Sequence, residues 1–466
     1  MGSRQEVHFG TDGWRAIIDQ DFNRHNIAAT AKAAAKAFLK EHPAGGRVIV
    51  GFDCRRDAAI HAQLAAQVMA GQGLEVLISR DYCPTPVLCW SVKQDDAAIG
   101  GLMITASHNA GEYSGIKLRM NDGGASPKAF TDLVEGFLDD EPAPLSQNIT
   151  SVDLVTPYLD ELLTHADKPR IAAAGLKVLV DPLYGANRVY MKRGLEAAGV
   201  QVTQIHGEAD PDFGGLHPEP IEPWTNEACA AVRDLGLDAG FISDGDGDRL
   251  CAIDSQGRLV NPHRILMLII QYLAGKGAKG RVVSTFSAST MVRLQCKRFG
   301  LPYTETPVGF KWIYQEMLKG DVIVGGEESG GIGIPQHVCE RDGLLMALLL
   351  CELMATTGMN LDQLLAQTYE AIGGEYHYKR RDLRVTQPIK ERFLAALPTC
   401  APTELAGQPV LALSRADGIR FDFPAGAWLL MRTSGTEPLV RIYAESLDPA
   451  VMEALLDAGQ ELVEGA

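Results

Sequence analysis

Several common signatures are missing from these 466 residues. No C-x-x-C pair occurs, and the nine cysteines are scattered and odd in number. That usage fits a reducing compartment with buried thiols better than a disulfide framework. There is no H-E-x-x-H and no Cys/His zinc spacing, which leaves zinc chemistry unsupported. No G-x-x-x-x-G-K-[ST] loop is present, so nucleotide hydrolysis on a P-loop is unsupported too. The G-x-S-x-G elbow of serine hydrolases is absent as well. Long apolar runs are lacking: ILMLII at 265–270 and LLMALLLC at 344–351 are the longest, and both are too short to span a bilayer. The opening residues MGSRQEVHFG carry no apolar signal core. A cytoplasmic protein with no membrane partner is expected. A surplus of basic residues is also missing, since the formal net charge is −16. Nucleic acid rewards clustered Lys and Arg, so no nucleic-acid partner is expected. Small anionic substrates remain compatible, because a local cationic pocket can sit in an acidic protein.

What is present is an ordinary globular composition, 46% hydrophobic and 22% charged, in a chain too long for one core. Length alone points to roughly three domains. Short β-branched runs alternate with helical patterns, which indicates α/β architecture. RVIVGFD (47–53), LEVLIS (74–79) and GLMIT (101–105) read as strands, and NIAATAKAAAKAFLKEH (26–42) as an Ala-rich helix. Ser126 followed by Pro127 reads as an N-cap with proline at the first helical position. The stretches opening at 47, 176 and 281 share a basic-then-apolar strand entry, a hint of an internal repeat. After 373–384 the texture changes to a strand-rich run and a final helix over 448–463.

Four constellations carry chemistry. In SDGDGDRL (243–250), Asp244, Asp246 and Asp248 alternate with Gly245 and Gly247. Glycines let the backbone turn so that carboxylates converge. Converging carboxylates repel unless a cation lies between them, and an all-oxygen set suits a hard ion such as Mg²⁺. An EF-hand is ruled out, because Arg249 stands at the sixth position and Ser255 at the twelfth. The rival reading is a solvated acidic turn. In MRTSGTEPLVRIY (431–443), Arg432, Ser434, Gly435, Thr436 and Arg441 combine guanidiniums, hydroxyls and a bare amide. Such a set suits a phosphate dianion, or is a surface turn. VGGEESGGIG (324–333) offers Glu327, Glu328 and Ser329 as acceptors for sugar hydroxyls, or is a mobile acidic loop, and TPVGFKWI (306–313) adds Lys311 on a Gly-containing turn. In MITASHNAGEYSGIKL (103–118), Ser107 and His108 stand together with Lys117 ten residues after the serine, and GTDGWRA (10–16) adds Arg15. Arg15 either faces a phosphate or is a surface charge. His108 is either a base or a satisfied loop histidine. Lys117 would move protons if neighbouring cations depressed its pKa, and is otherwise a solvated lysine.

Taken in order, GTDGWRA, TASHN, DGDGDR, GEESGG and RTSGT resemble the α-D-phosphohexomutase family, over a match running from Gly10 to Arg441. The resemblance implies three similar α/β domains with mixed sheets and a smaller C-terminal α+β domain, all around a central cleft. The expected domains are 1–150 for the phosphoserine loop, 151–257 for metal, 258–372 for sugar recognition and 373–466 for phosphate. Members interconvert hexose 1- and 6-phosphates through a phosphoserine and a bisphosphate. On this chain Ser107 matches the phosphorylated serine, whose phosphate oxygen completes an Mg²⁺ site with Asp244, Asp246 and Asp248. His108 matches a neighbour of the serine, and Lys117 the general acid/base. Arg15 and Arg249 match arginines near the transferring phosphoryl group. Thr306, Gly309, Lys311, Glu327 and Ser329 fall in the sugar-recognition stretches. Arg432, Ser434, Gly435, Thr436 and Arg441 match the site for the non-reacting phosphate. The implied reaction is that of a phosphoglucomutase, with glucose 1,6-bisphosphate as activator and intermediate. The alternatives are a phosphomannomutase or dual glucose/mannose enzyme, then a phosphoglucosamine mutase or a sugar phosphatase. Two departures bear on the sugar: Gly331 stands where dual-specificity members carry histidine, and Cys339 where glucose members often carry arginine.

Overall fold

A computed structural model describes residues 7–10, 12–433 and 438–465. Three of its sheets share one plan. Strand Arg47–Phe52 lies between parallel neighbours Glu75–Ser79 and Ala98–Ile104. Lys177–Asp181 lies likewise between Gln201–Gln204 and Ala239–Ser243. Arg281–Thr285 lies between Tyr303–Thr306 and Val322–Gly326. These central strands are the three with the basic-then-apolar entry, so the repeat read from the sequence is a repeat of sheets. Their apolar runs are continuous because parallel strands are covered on both faces; Val48, Val50, Val178, Val180, Val282 and Val283 are fully buried.

In each sheet the chain then reverses. Ala98–Ile104 is followed by the antiparallel strand Tyr113–Met120, Ala239–Ser243 by Leu250–Ile253, and Val322–Gly326 by Ile332–Gly333. The loops joining these pairs hold Ser107, the aspartate triad and Glu327–Ser329. All three therefore sit beyond the C-terminal end of a parallel strand, where open α/β sheets place their ligands. Trp14–Ile17 extends the first sheet on the antiparallel side and carries Arg15.

The Ala-rich helix spans Arg24–Glu41 and is capped by Asn23, whose side chain accepts from the Asn26 amide. Its small buried face packs closely on helix Ala58–Gly71. The expected Ser126 cap does not form. That helix runs Lys128–Gly136 with Pro127 itself at the cap position, and the Ser126 hydroxyl is buried without a partner. The run LLMALLLC lies in helix Gly343–Thr357, apolar on every side because it is enclosed. It packs on Lys168–Ala174 and on Pro262–Gly275. Among the described residues no single helix is long and apolar enough to cross a membrane.

One apolar core passes through all three α/β units, joining Ile49 and Leu88 to Val178 and Met191 and on to Leu268 and Leu348. The last part of the chain differs. Its antiparallel sheet runs His377–Arg384, Leu439–Ser446, Trp428–Thr433, Ile419–Asp422, Ala412–Ser414. Helices Gln387–Ala396 and Pro449–Glu464 accompany it, and its core is its own, with Phe421, Leu429, Ile442 and Leu455. The expected class, three α/β units with mixed sheets and a smaller α+β unit, is the one observed.

Candidate functional site

The serine loop is held in a strained form by one arginine. Ser107 has φ +54°, a left-handed conformation that costs a non-glycine residue about 1–3 kcal/mol. The Arg55 guanidinium donates to the carbonyls of Ser107, Asn109, Ala110 and Tyr113 at 2.6–2.8 Å. Asp53 holds Arg55 in turn, at 3.1 Å from Nε. The Ser107 amide donates to Thr105 Oγ1 at 2.9 Å. The Ser107 hydroxyl is thereby set 3.2 Å from Asp244 Oδ2.

The aspartate triad comes together as expected. One carboxylate oxygen from each of Asp244, Asp246 and Asp248 lies within 4.8 Å of the others, and all three residues are fully buried. Gly247 turns the loop at φ +76°, and a Cβ on Gly245 would lie 2.4 Å from the Ser107 carbonyl oxygen. Gly245 thus lets the metal loop touch the serine loop. Asp246 Oδ2 accepts from Thr85 at 2.6 Å and Lys117 at 2.8 Å, while Asp246 Oδ1 and Asp248 Oδ1 are buried with no hydrogen-bond partner. Burial, then the charges of Asp248 and Asp246, push the Asp244 carboxyl well above the usual range. Burial would raise Asp246 too, but the charge and hydrogen bond of Lys117, with Thr85 and Arg341, outweigh it and hold that carboxyl low. Two buried oxygens without hydrogen-bond partners, and an Asp244 carboxyl whose repulsion by the other two acids outweighs the pull of Arg249, are what a hard cation satisfies, and the all-oxygen donor set fits Mg²⁺.

Lys117 is not in the surroundings the sequence reading required. Its neighbours are anions: Asp246 at 2.8 Å, Asp12 at 3.1 Å and Asp248 at 3.3 Å. Burial alone would lower its pKa, but these three carboxylates raise it above the ordinary lysine value, so the side chain holds its proton. His108 is the reverse case. Burial, then the charges of Arg249 and Arg15, hold its imidazole well below the ordinary value, and its Nδ1 has no partner. A neutral ring thus lines the cleft beside the serine, with its Nδ1 buried and unpartnered.

That cleft measures about 980 Å³ and runs from Arg15, His108 and Arg249 to Arg432 and Arg441. Arg15 Nη1 donates to Asn109 Oδ1 at 2.6 Å. Gly309, Lys311, Glu327 and Ser329 line the middle of the cleft. Thr306 does not reach it: this residue is buried, and its hydroxyl donates to the carbonyls of Pro307 and Ser284. Glu328 Oε2 is tied to Ser287 at 2.6 Å, which leaves Glu327 as the freer acid. At the far end Arg432 pairs with Asp417 at 2.9 Å, and Arg441 lies 4.0 Å from Asp382. Ser434, Gly435 and Thr436 lie outside the described residues. Arg380, Tyr378 and Tyr443 line the same end and escaped the sequence reading. Cys339 packs in an apolar cluster with Val283 and Phe310. The guanidinium on that side of the cleft comes from Arg341, two residues further on.

Burial, then the charge of Glu328, pushes the Glu327 carboxyl up to about 7. If its ionised form accepts a sugar hydroxyl, kcat/KM should rise with pH through about 7. Glu327→Gln should remove that limb and raise KM roughly tenfold, the value of a hydrogen bond to a charged group. Substrate phosphate titrates equally with both proteins, so the difference between the two pH profiles isolates Glu327. Superimposable profiles would contradict this role.

Comparison with known proteins fits this geometry. Models of the phosphoglucomutase/phosphomannomutase α/β/α domains I, II and III match residues 6–143, 156–257 and 261–372. The model of the C-terminal domain of the same family matches residues 383–460. The phosphoglucosamine mutase of a Synechococcus species is 30% identical over 464 residues, 96% of this chain and 93% of its own. The phosphoglucomutase/phosphomannomutase of Thermococcus kodakarensis is 27% identical, over 98% of each chain. A solved structure from Thermus thermophilus, provisionally named a phosphomannomutase, superposes with a TM-score of 0.89 at 32% identity, over 99% of this chain and 100% of its own. With all four domains matched in order, the chain belongs to the phosphoglucomutase/phosphomannomutase family, the α-D-phosphohexomutases, enzymes that act as intramolecular phosphotransferases.

Proposed function

We propose that this enzyme interconverts α-D-glucose 1-phosphate and glucose 6-phosphate through a phosphorylated Ser107 and glucose 1,6-bisphosphate. The observation that carries this reading is the single cleft, with Ser107 and the aspartate triad beneath one end and two arginines at the other. Glu327 and Ser329 lie between those ends. A substrate with two anionic positions fits such a cleft in either direction. When bound to Asp244, Asp246 and Asp248, Mg²⁺ supplies charge neutralisation at a phosphoryl oxygen.

In the first half-reaction the P–Oγ bond of Ser107 breaks and a bond forms from phosphorus to the sugar 6-oxygen. The hydroxyl proton passes to a base, a role we assign to the neutral imidazole of His108, which lines the cleft beside the serine. Arg15 and Arg249 offset the charge on the transferring group. Arg432 and Arg441 grip the phosphate that does not react. After the bisphosphate turns around, Ser107 takes the phosphoryl group from the sugar 1-oxygen, which recovers the proton. Arginines at both ends of the cleft slow escape of the bisphosphate during that turn.

The glucose preference rests on the resemblance of the loop Glu327–Glu328–Ser329 to glucose-selective members. A second reading, phosphomannomutase activity, is favoured by the likeness to the Thermus thermophilus structure. The test is kcat/KM on glucose 1-phosphate, mannose 1-phosphate and glucosamine 1-phosphate, each with its own 1,6-bisphosphate. Glucose 1-phosphate is expected first and mannose 1-phosphate second. Glucosamine 1-phosphate in first place would overturn the assignment.

A further inference from the structure

Arg341 joins three domains in one side chain. Its Nη2 lies 2.9 Å from Asp248 Oδ2, in the metal loop, and 2.8 Å from Asp12 Oδ2, in the first domain. Its Nε lies 2.9 Å from Glu340 Oε1 in its own domain. The guanidinium packs over Phe310, 5.2 Å from the ring centre. With one oxygen of Asp248 occupied by Arg341 and Lys117, the other has no hydrogen-bond partner, Arg249 Nε approaching it only to 3.9 Å. The carboxylate is thus turned to offer a single oxygen, a geometry that a planar fork fixes and a point charge does not.

The same arginine accounts for Gly331. A Cβ there would lie 2.2 Å from Arg341 Cδ and 2.8 Å from Cγ, with no backbone atom among its nearest neighbours. Gly331 does not have a positive φ, so its need is for space alone. Gly331 also lies in the sugar-recognition loop. It bridges Arg249 across the domain boundary, the Glu327 amide donates to its carbonyl, and the Leu250 amide donates to the Gly330 carbonyl. A shift of the sugar loop therefore moves the surface against which the arginine stem rests.

We propose that Arg341 is a positioning residue that presents Asp248 to the cation, and that its own placement is set by the bare backbone of Gly331 in the sugar loop. This rests on reading the aspartate triad as an Mg²⁺ site. The coupling runs from sugar loop to arginine stem to metal ligand, and it needs no other moving part.

The test is Mg²⁺ titration of the purified full chain by calorimetry. Wild type, Arg341→Ala, Arg341→Lys, Gly331→Ala and the Gly331→Ala/Arg341→Ala double variant are compared. Arg341→Ala should weaken Mg²⁺ binding about tenfold, the usual cost of losing a ligand-orienting partner. Arg341→Lys should recover part of the loss. Gly331→Ala should weaken binding to a similar degree, because its methyl group displaces the arginine stem. The double variant should be no weaker than Arg341→Ala alone, since both changes act through one side chain. Wild-type affinity in Gly331→Ala would overturn the proposal, as would losses that multiply in the double variant. The Gly331→Ala result decides the matter even if Arg341→Ala fails to fold. If wild type itself takes up no Mg²⁺, the metal reading fails instead, and that result is distinct from any of these.

Discussion

Ser107→Ala is expected to lower the rate of hexose phosphate isomerisation by at least about 10³-fold, because in the proposed reaction it removes the atom that carries the phosphoryl group. Among the described residues, the Thr85 hydroxyl is committed to Asp246. Thr105 Oγ1 already accepts from the Ser107 amide. Threonine at position 107 should fail as well, because a β-branched side chain is disfavoured at φ +54°. The fold should survive, since the loop is held through its carbonyls by Arg55, with no use of the serine side chain. Two measurements check this: the isomerisation rate, and the intact mass of the purified protein. The mass should show one phosphate on wild type and none on Ser107→Ala. Unchanged isomerisation would remove Ser107 from the mechanism.

Asp246→Asn should have the next largest effect, a loss of about 10²-fold or more in Mg²⁺-supported activity, since it replaces a ligand as well as its charge. Thr85 and Lys117 both donate to Asp246, and Lys117 gives up the closest of its three carboxylates. Part of the activity should return at high Mg²⁺, as mass action refills a weakened site. Treatment of wild type with EDTA should give the same loss, reversed by Mg²⁺. Asp457→Asn, an exposed acid paired with Arg381 on the fourth domain, is the control and should leave the Mg²⁺ dependence unchanged. Full activity after EDTA would show that the triad plays no part in the reaction.

What could be read from the sequence was what is local in it. The aspartate triad and the serine loop are contiguous, and glycines at 245 and 247 announce the turn of the metal loop. The repeated strand entry at 47, 176 and 281 was visible because strands buried on both faces keep unbroken apolar runs. The supporting shell was hidden for the opposite reason. Arg341 meets Asp12 across 329 residues, and Arg55 meets the serine loop across 52 to 58. Nothing in VCERDG or FDCRRD distinguishes such arginines from solvated ones. The only available signal for Arg55 was its place just past the end of a buried strand. For Lys117 the sequence reading asked for neighbouring cations that would depress its pKa, whereas the fold surrounds it with Asp12, Asp246 and Asp248, which are far from it in sequence. Thr306 was assigned to the cleft as the opening residue of TPVGFKWI, yet its strand turns the hydroxyl back onto main-chain carbonyls.

The large core described above runs through three domains and reaches Tyr376 and Leu447 of the fourth, while the first and the fourth each keep a further core of their own. Across that last boundary lie a small aromatic contact, Phe286 against the cluster of Trp428 and Tyr443, and discrete polar ties. Those ties include Val308 N to Asp417 at 2.7 Å, Arg420 to the Phe286 carbonyl at 2.6 Å and Thr290 to Gly426 at 2.9 Å. A break in the chain near 150 or 257 would cut through shared apolar packing and buried ion pairs. One near 373 would leave the bulk of a core on each side. On the proposed reaction, a cleft that admits a bisphosphate, shields it and lets it turn would part along this last boundary, away from the aspartate triad.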